Sequence, residues 1–209
     1  MRYLLMLTLL SGTVLNAQKN GFTRIEDHAV LEADINRNSA KITSITSAFV
    51  QEKKMEYLDE VIVSKGKFWY KRESKLRWQY NEPYEYIIAI KDGKFSIKDN
   101  GRVKVFDVNS NQAFKELNDL ILNIAQGNLV KDNRFDIEAY EDKTSYFLKL
   151  TPKDANMKKF IRQTEVYLLK EDLAVTKVVM RESDTDFTVI SFINRKLNDE
   201  VSDTVFDIK

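Results

Sequence analysis

The chain has 209 residues, with 33 Lys plus Arg against 32 Asp plus Glu and a formal net charge of +1, a balance that gives no global pull toward nucleic acid. It contains no cysteine and a single histidine, which excludes disulfides, thiol nucleophiles, Cys-based metal sites and multi-His metal sites. Aromatics at 11 %, with only 6 Gly and 2 Pro, describe a folded sequence long enough for one domain with a substantial core.

Residues 1–17 read as a signal peptide. Met1-Arg2 gives a positive start, Tyr3 to Leu10 an apolar run, and Asn16-Ala17-Gln18 a cleavage site after Ala17. The run is too short for an ordinary membrane span, and no cysteine follows it to carry a lipid anchor. The expectation is an exported, soluble chain, with residues 18–209 forming a single domain; in a periplasm, the absence of cysteine means that the fold stands on packing alone.

Phe22 to Lys41 reads as helical, with Ile25, His28 or Ala29, Glu32 and Ile35 as one stripe and Leu31 beside it. Thr23, with Glu26 three residues on, has capping-box spacing. His28 falls in this helix and reads as a half-exposed surface residue, since nothing spaced around it suggests a catalytic partner. Between Ile42 and Lys54 the composition turns to Ser, Thr, Ile, Phe and Val, and a strand runs through Ser47-Ala48-Phe49-Val50-Gln51.

Strands then recur at Tyr57–Ser64, Gly66–Arg72, Lys75–Tyr80, Tyr84–Lys91, Lys94–Lys98 and Val103–Val108. Asp92-Gly93 and Asp99-Asn100-Gly101 are turn sequences that tolerate positive φ. One helix interrupts the meander. From Asn111 to Gln126, the residues Phe114, Leu117, Leu120, Ile121 and Ile124 form a single apolar face, with Ser110 or Asn109 as cap and Gly127-Asn128 as stop. Strands resume at Phe135–Tyr140, Ser145–Thr151, Arg162–Leu169, Val175–Arg181, Phe187–Asn194 and Thr204–Ile208, with Met157 to Phe160 as a short loop or helical turn.

About a dozen antiparallel strands in one sheet must curl or close. Two amphipathic helices then have one natural place, across the concave apolar face. The fold class is therefore α+β, mainly β: a curved antiparallel half-barrel closed by amphipathic helices.

Catalytic patterns are absent from the sequence. No G-x-S-x-G elbow surrounds any serine, Asp92 and Asp99 sit in turn sequences, and Glu182, Asp184 and Asp186 lack the glycine and terminal Glu of a calcium loop. The chain reads as a non-enzyme without cofactor or metal. Lys71, Arg72, Lys75 and Arg77 interleave with Trp69, Tyr70 and Trp78, a pattern that can stack bases, but export and a neutral balance argue against nucleic acid as a partner. The distinctive feature is the apolar face itself. Leu76, Trp78 and Tyr80 alternate on one side, with Ile88 and Ile90 on the next strand. Pattern alone is equally compatible with a filled core and with a lipid-sized pocket.

Ser47-Ala48-Phe49-Val50-Gln51 resembles the S-x-F-x-Q segment of the periplasmic lipoprotein carriers of the LolA type. Gly66-Lys67-Phe68-Trp69-Tyr70-Lys71-Arg72, followed by Lys75-Leu76-Arg77-Trp78-Gln79-Tyr80 and Pro83, resembles that family's G-x-(L/F)-W-x-K-R-P…(L/F)-R-W-x-Y…P signature. Ile87-Ile88 and Asp92-Gly93-Lys94 are similar to its next strand and turn, and Leu150-Thr151-Pro152 agrees further on. The resemblance implies a half-barrel that accepts acylated lipoproteins from an inner-membrane releasing transporter, shields their acyl chains and passes them to the outer membrane, where an acceptor receives them. It implies that Arg72 closes the lid by bonding to helix backbone, and that Phe49, Leu76, Trp78, Ile88 and Ile90 line the acyl cavity, with Leu76 on the sheet edge met by cargo or transporter. Two departures stand out. Glu73 replaces the proline after Arg72, where its carboxylate would compete for the guanidinium, and the chain stops at Lys209 with the last strand. A carrier of another lipid, glycolipid or polyketide-type intermediate, or a non-carrying envelope interaction module of the same fold, remain the alternatives.

Overall fold

The computed structural model describes residues 21–107, 119, 122–123, 130 and 132–209. The signal-peptide reading of residues 1–17 lies outside them. So does most of the expected helix Asn111 to Gln126, of which Asp119, Leu122 and Asn123 are described, all three helical.

The described chain builds one 12-stranded sheet, with strands β1 (Thr23–Ile25), β2 (Ser44–Lys54), β3 (Ile62–Lys71), β4 (Lys75–Glu82), β5 (Tyr86–Lys91), β6 (Lys94–Asp99), β7 (Arg102–Asp107), β8 (Phe135–Glu141), β9 (Ser145–Pro152), β10 (Gln163–Leu169), β11 (Val175–Arg181) and β12 (Phe187–Leu197). The spatial order is β1-β8-β9-β10-β11-β12-β2-β3-β4-β5-β6-β7. Every neighbouring pair is antiparallel. The sheet is curved and open, with β1 and β7 at its edges. Three register shifts, between Lys65 and Gly66, Tyr167 and Leu168, and Ile193 and Lys196, bend the strands that carry them and increase the local twist.

Period-two alternation sends one side chain in two to the concave face. One row there runs across six strands as Ile45, Tyr70, Leu76, Ile90, Phe95 and Phe106. A second runs from the opposite edge through Ile25, Ala139, Leu148, Val166, Val178 and Ile190. Two apolar clusters result. Helix α1 (Ala29–Ser39) lays Leu31 and Ile35 onto the β8–β11 half. Leu122 packs on the β2–β6 half.

Several sequence expectations change. The helix begins at Ala29, not Phe22, because Thr23–Ile25 pairs with Ala139–Glu141 as an edge strand. Thr23 therefore caps nothing. His28, half-buried, occupies the N-cap position without a side-chain bond, and Asp27 Oδ1 accepts from the Ala29 N–H at 2.9 Å. The separate strands expected at Tyr57–Ser64 and Gly66–Arg72 are one strand, β3, preceded by a turn. The last expected strand, Thr204–Ile208, does not form.

Residues Asp203–Phe206 form a 3₁₀ turn that lies on the convex face against β4 and β5. Cations of alternate, outward-facing strand positions hold it there. Lys71 Nζ donates to the Val201 carbonyl at 2.8 Å and to Asp203 Oδ1 at 2.5 Å, Lys75 Nζ reaches Asp203 Oδ2 at 2.7 Å, Arg77 Nη1 donates to the Val205 carbonyl at 2.9 Å, and Lys91 Nζ reaches Asp207 Oδ1 at 2.6 Å. Of the basic residues that interleave with aromatics, Lys71, Lys75 and Arg77 thus serve a C-terminal strap, and Arg72 does not. Lys71 and Lys75 hold the Asp203 carboxyl down at about 2 by hydrogen bonding to its charged form.

Candidate functional site

Between α1 and the sheet lies a cavity of about 180 Å³, room for roughly a dozen waters. Ile45, Ser47 and Gln51 of β2, Phe68 of β3, Leu76, Trp78 and Tyr80 of β4, and Ile88 of β5 form one wall. Val178 and Met180 of β11, with Ile190, Phe192 and Arg195 of β12, form the other. Leu173, Ala174 and Val175 enter from the β10–β11 turn, and Ile35, Ser39 and Ile42 come from α1 and the segment after it. The surface is overwhelmingly apolar, as a lipid site requires.

Aromatic rings make the β2–β4 wall rigid. Trp78 meets Phe49 at 4.9 Å, Phe68 at 5.2 Å and Phe192 at 5.8 Å between ring centroids, all tilted or edge-on. The two polar members of the S-x-F-x-Q segment are spoken for. Ser47 Oγ is within donating distance of two carbonyls, that of Ala48 at 2.7 Å and that of Ile193, beside the bulge in β12, at 2.9 Å. Gln51 Oε1 accepts from the Tyr80 hydroxyl at 2.9 Å, and burial pushes that phenol up to about 12, so it stays a neutral donor. The Trp78 indole N–H lies toward the Tyr80 hydroxyl, which it favours in the charged form, yet it is buried without an aligned hydrogen bond.

Of the five expected wall residues, Leu76, Trp78 and Ile88 line the cavity. Phe49 and Ile90, 1 % and 2 % exposed, share the concave face but sit in the filled core beneath it. Phe49 also explains Gly66 opposite it. A Cβ at Gly66 would stand 1.9 Å from the Gln79 carbonyl oxygen and 2.7 Å from the Phe49 ring. Leu76 is not on a sheet edge. β4 is flanked by β3 and β5, and Leu76 is 1 % exposed.

Arg72 stands at the end of β3 and reaches the C-terminal end of α1. Its Nε donates to the Ile42 carbonyl at 2.7 Å, and its Nη2 donates to the Ala40 carbonyl and, at 3.3 Å, to that of Ser39. The last carbonyls of a helix lack intrahelical partners and carry partial negative charge, so a guanidinium there is doubly favoured. Glu73 does not interfere. Its side chain is 83 % exposed and lies 3.5 Å from Lys75. Glu73 and Ser74 adopt φ of 67° and 59°. A proline ring, locked near −65°, cannot occupy the first of these, which accounts for the departure from the K-R-P pattern.

The sequence reading missed Phe68, Phe192 and, above all, Arg195. Counting in steps of two from Phe192 puts Asn194 inward and Arg195 outward. The bulge, with Asn194 at φ 53°, adds one residue against β2 and resets the faces, so that Leu197 pairs with Ile45 and Arg195 lines the cavity. Its Nη1 lies 3.3 Å from Asp172 Oδ2 but makes no hydrogen bond.

The model of the family described as outer membrane lipoprotein carrier protein LolA matches residues 40–209. The chain belongs to the LolA family. The matched span starts at the C-cap of α1 and takes in β2 to β12, so Arg72, the aromatic wall and Arg195 all fall within the LolA region. A search of curated proteins finds no match. Among solved structures, an uncharacterized conserved protein from Thermus thermophilus superposes with a TM-score of 0.52 at 9 % identity, covering 83 % of this chain and 91 % of that one. A LolA superfamily protein from Nitrosomonas europaea gives 0.45 at 10 % identity, covering 85 % and 97 %. The Mycobacterium tuberculosis lipoprotein LppX gives 0.44 at 13 % identity, covering 83 % and 96 %. Family membership describes a carrier rather than an enzyme. Among the described residues no helix is long and apolar enough to cross a membrane.

Proposed function

We propose that this LolA-family protein is a periplasmic carrier that takes acylated lipoproteins from an inner-membrane releasing transporter, shields their acyl chains between α1 and the concave sheet, and delivers them to an outer-membrane acceptor. The observation that carries this reading is the apolar cavity under a helix whose C-terminal end Arg72 ties to the sheet. Exposed methylenes cost about 0.8 kcal/mol each, so a chain of about 15 costs about 12 kcal/mol in water. A carrier must offset most of that and still release its load, which requires a roof that opens. Arg72 is assigned to lid closure, and Leu76, Trp78 and Ile88 to acyl contact.

A photoreactive side chain at Ile88, half-buried on the cavity wall, tests the proposal in living cells. Adducts with acylated proteins are the expected result. Adducts with free lipid or glycolipid alone would replace the lipoprotein cargo by another lipid, and a folded protein without adducts would remove the carrier reading.

A further inference from the structure

We propose that the cavity recognises an anionic oxygen group, a carboxylate or a phosphate, at the polar end of its acyl ligand through Arg195. The inference rests on the acyl-binding cavity of the reading above, not on its lipoprotein cargo: ester- and amide-linked acyl chains carry no free anion, so a ligand of this kind is a fatty acid or a phospholipid, the lipid alternative to a lipoprotein. Among the described residues lining the cavity, Arg195 is the one that carries a charge. It is placed there by a deformation of the backbone. The extra residue in β12 between Ile193 and Lys196, with Asn194 in the left-handed region at φ 53°, puts Arg195 on the cavity side of the sheet where plain alternation would leave it outside.

Arg195 has donors to spare. Its side chain is 13 % exposed, so few of its five N–H groups reach water. Its ion-pair partner, Asp172, lies 3.3 Å from Nη1 without hydrogen-bond alignment, and Nη1 is buried and unbonded. Asp172 cannot turn to make a two-pronged contact, because its Oδ1 accepts the Ala174 N–H at 2.8 Å and shapes the β10–β11 turn. The polar neighbours on the β2 wall are engaged as well, Ser47 as a donor to the Ile193 carbonyl and Gln51 as acceptor from Tyr80. A planar guanidinium with unspent donors on an apolar wall matches a ligand that offers two oxygens side by side.

The chemistry makes a sharp contrast. An uncharged apolar cavity prefers a fatty alcohol to the carboxylate of equal length, because the ion loses hydration on entry. Arg195 reverses that order. Asp172, 32 % exposed, is rehydrated when the ligand anion takes its place.

The mature protein is loaded with the neutral dye N-phenyl-1-naphthylamine at pH 7.4 and titrated with dodecanoate, dodecyl phosphate and dodecanol. We expect at least one of the anions to displace dye at concentrations tenfold or more below dodecanol, the fold-change of a charge-assisted bond. Arg195→Gln is expected to restore the alcohol preference, read as the ratio of anion to alcohol displacement within the variant itself, whatever its dye affinity. Asp172→Asn, which keeps the bond to the Ala174 N–H, is expected to strengthen anion binding severalfold. Dodecanoate ahead of dodecyl phosphate assigns the group to a fatty carboxylate, and the reverse order to a phospholipid headgroup. Equal displacement by alcohol and anions, or an anion preference that survives Arg195→Gln, overturns the inference and leaves the acyl cavity standing. If Arg195→Gln does not fold, Asp172→Asn decides, and unchanged anion affinity there overturns the inference. Failure of wild type to bind dye and all three ligands overturns both readings.

Discussion

Arg72→Leu tests whether α1 is a tethered lid. The substitution keeps the aliphatic stem and deletes three donated bonds, to the carbonyls of Ser39, Ala40 and Ile42. A hydrogen bond from a charged donor contributes about 1.5–3 kcal/mol when shielded. Only the bond to Ile42 is part-buried, and the other two are exposed, which discounts them to well under 1 kcal/mol each. The loss is therefore about 2–3 kcal/mol, or roughly 30- to 150-fold in the ratio of open to closed helix at about 1.4 kcal/mol per decade. Leu31 and Ile35 remain as anchors, each worth about 1.5–3 kcal/mol of buried side chain, so the helix opens more often without dissolving. Native-state hydrogen exchange reads this directly. The α1 amides after Leu31 should exchange at least 30-fold faster, while β8 to β11 are unchanged. Arg72→Lys, which retains a charge but not the fork, should fall between. Dye binding should survive, and, on the proposed carrier reading, transfer of acyl cargo between membranes should slow because the empty protein recloses less completely. Unchanged α1 protection in Arg72→Leu would refute the tether and, with it, the lid.

Gly66→Ala should destabilise by about 3 kcal/mol, the upper end for overpacking, because the new methyl meets the rigid Gln79 carbonyl at 1.9 Å as well as the Phe49 ring; an unchanged urea midpoint would contradict the close approach. Leu76→Ala should cost about 2–5 kcal/mol in the same assay and enlarge the cavity, whereas a glutamate there would bury an unpaired carboxylate and test folding rather than cargo. The Asp203 carboxyl is depressed to about 2 from an ordinary value of 3.8, so its contribution is present above 3.8 and lost as pH falls through 2. Thermal midpoints measured from pH 5 down to pH 2 should drop in wild type, and Asp203→Asn should start lower and show a flatter profile; identical profiles would remove the strap from the acid response.

The elements legible in the sequence are those whose cause is local. Asp92-Gly93 and Asn100-Gly101 occupy left-handed pairs, with φ of 52° and 72° and of 47° and 74°, as their residue types predict. Leu76, Trp78 and Tyr80 share one face because the backbone period is two, and that holds for any strand. The ordered segments from Ser47 to Lys94 place the chain in its family without any tertiary information, and the amphipathic pattern of Leu31 and Ile35 anticipates a helix across the concave side.

What the tertiary structure decided depends on distant partners. Thr23–Ile25 reads as the first turn of a helix, yet β8 recruits it as an edge strand. Thr204–Ile208 has the alternation of a strand, but Lys71, Lys75, Arg77 and Lys91 capture the segment as a strap. Period two tells which face a side chain takes and not how deep it lies, so Phe49 and Ile90 look like cavity wall and are core. The bulge in β12 exists only against β2, where the Ser47 hydroxyl donates toward the Ile193 carbonyl beside it. A single added residue there inverts the faces that follow, and so the one charge among the described residues of the cavity wall, Arg195, is set by a pairing between strands more than a hundred residues apart in the chain, beyond the reach of any local pattern.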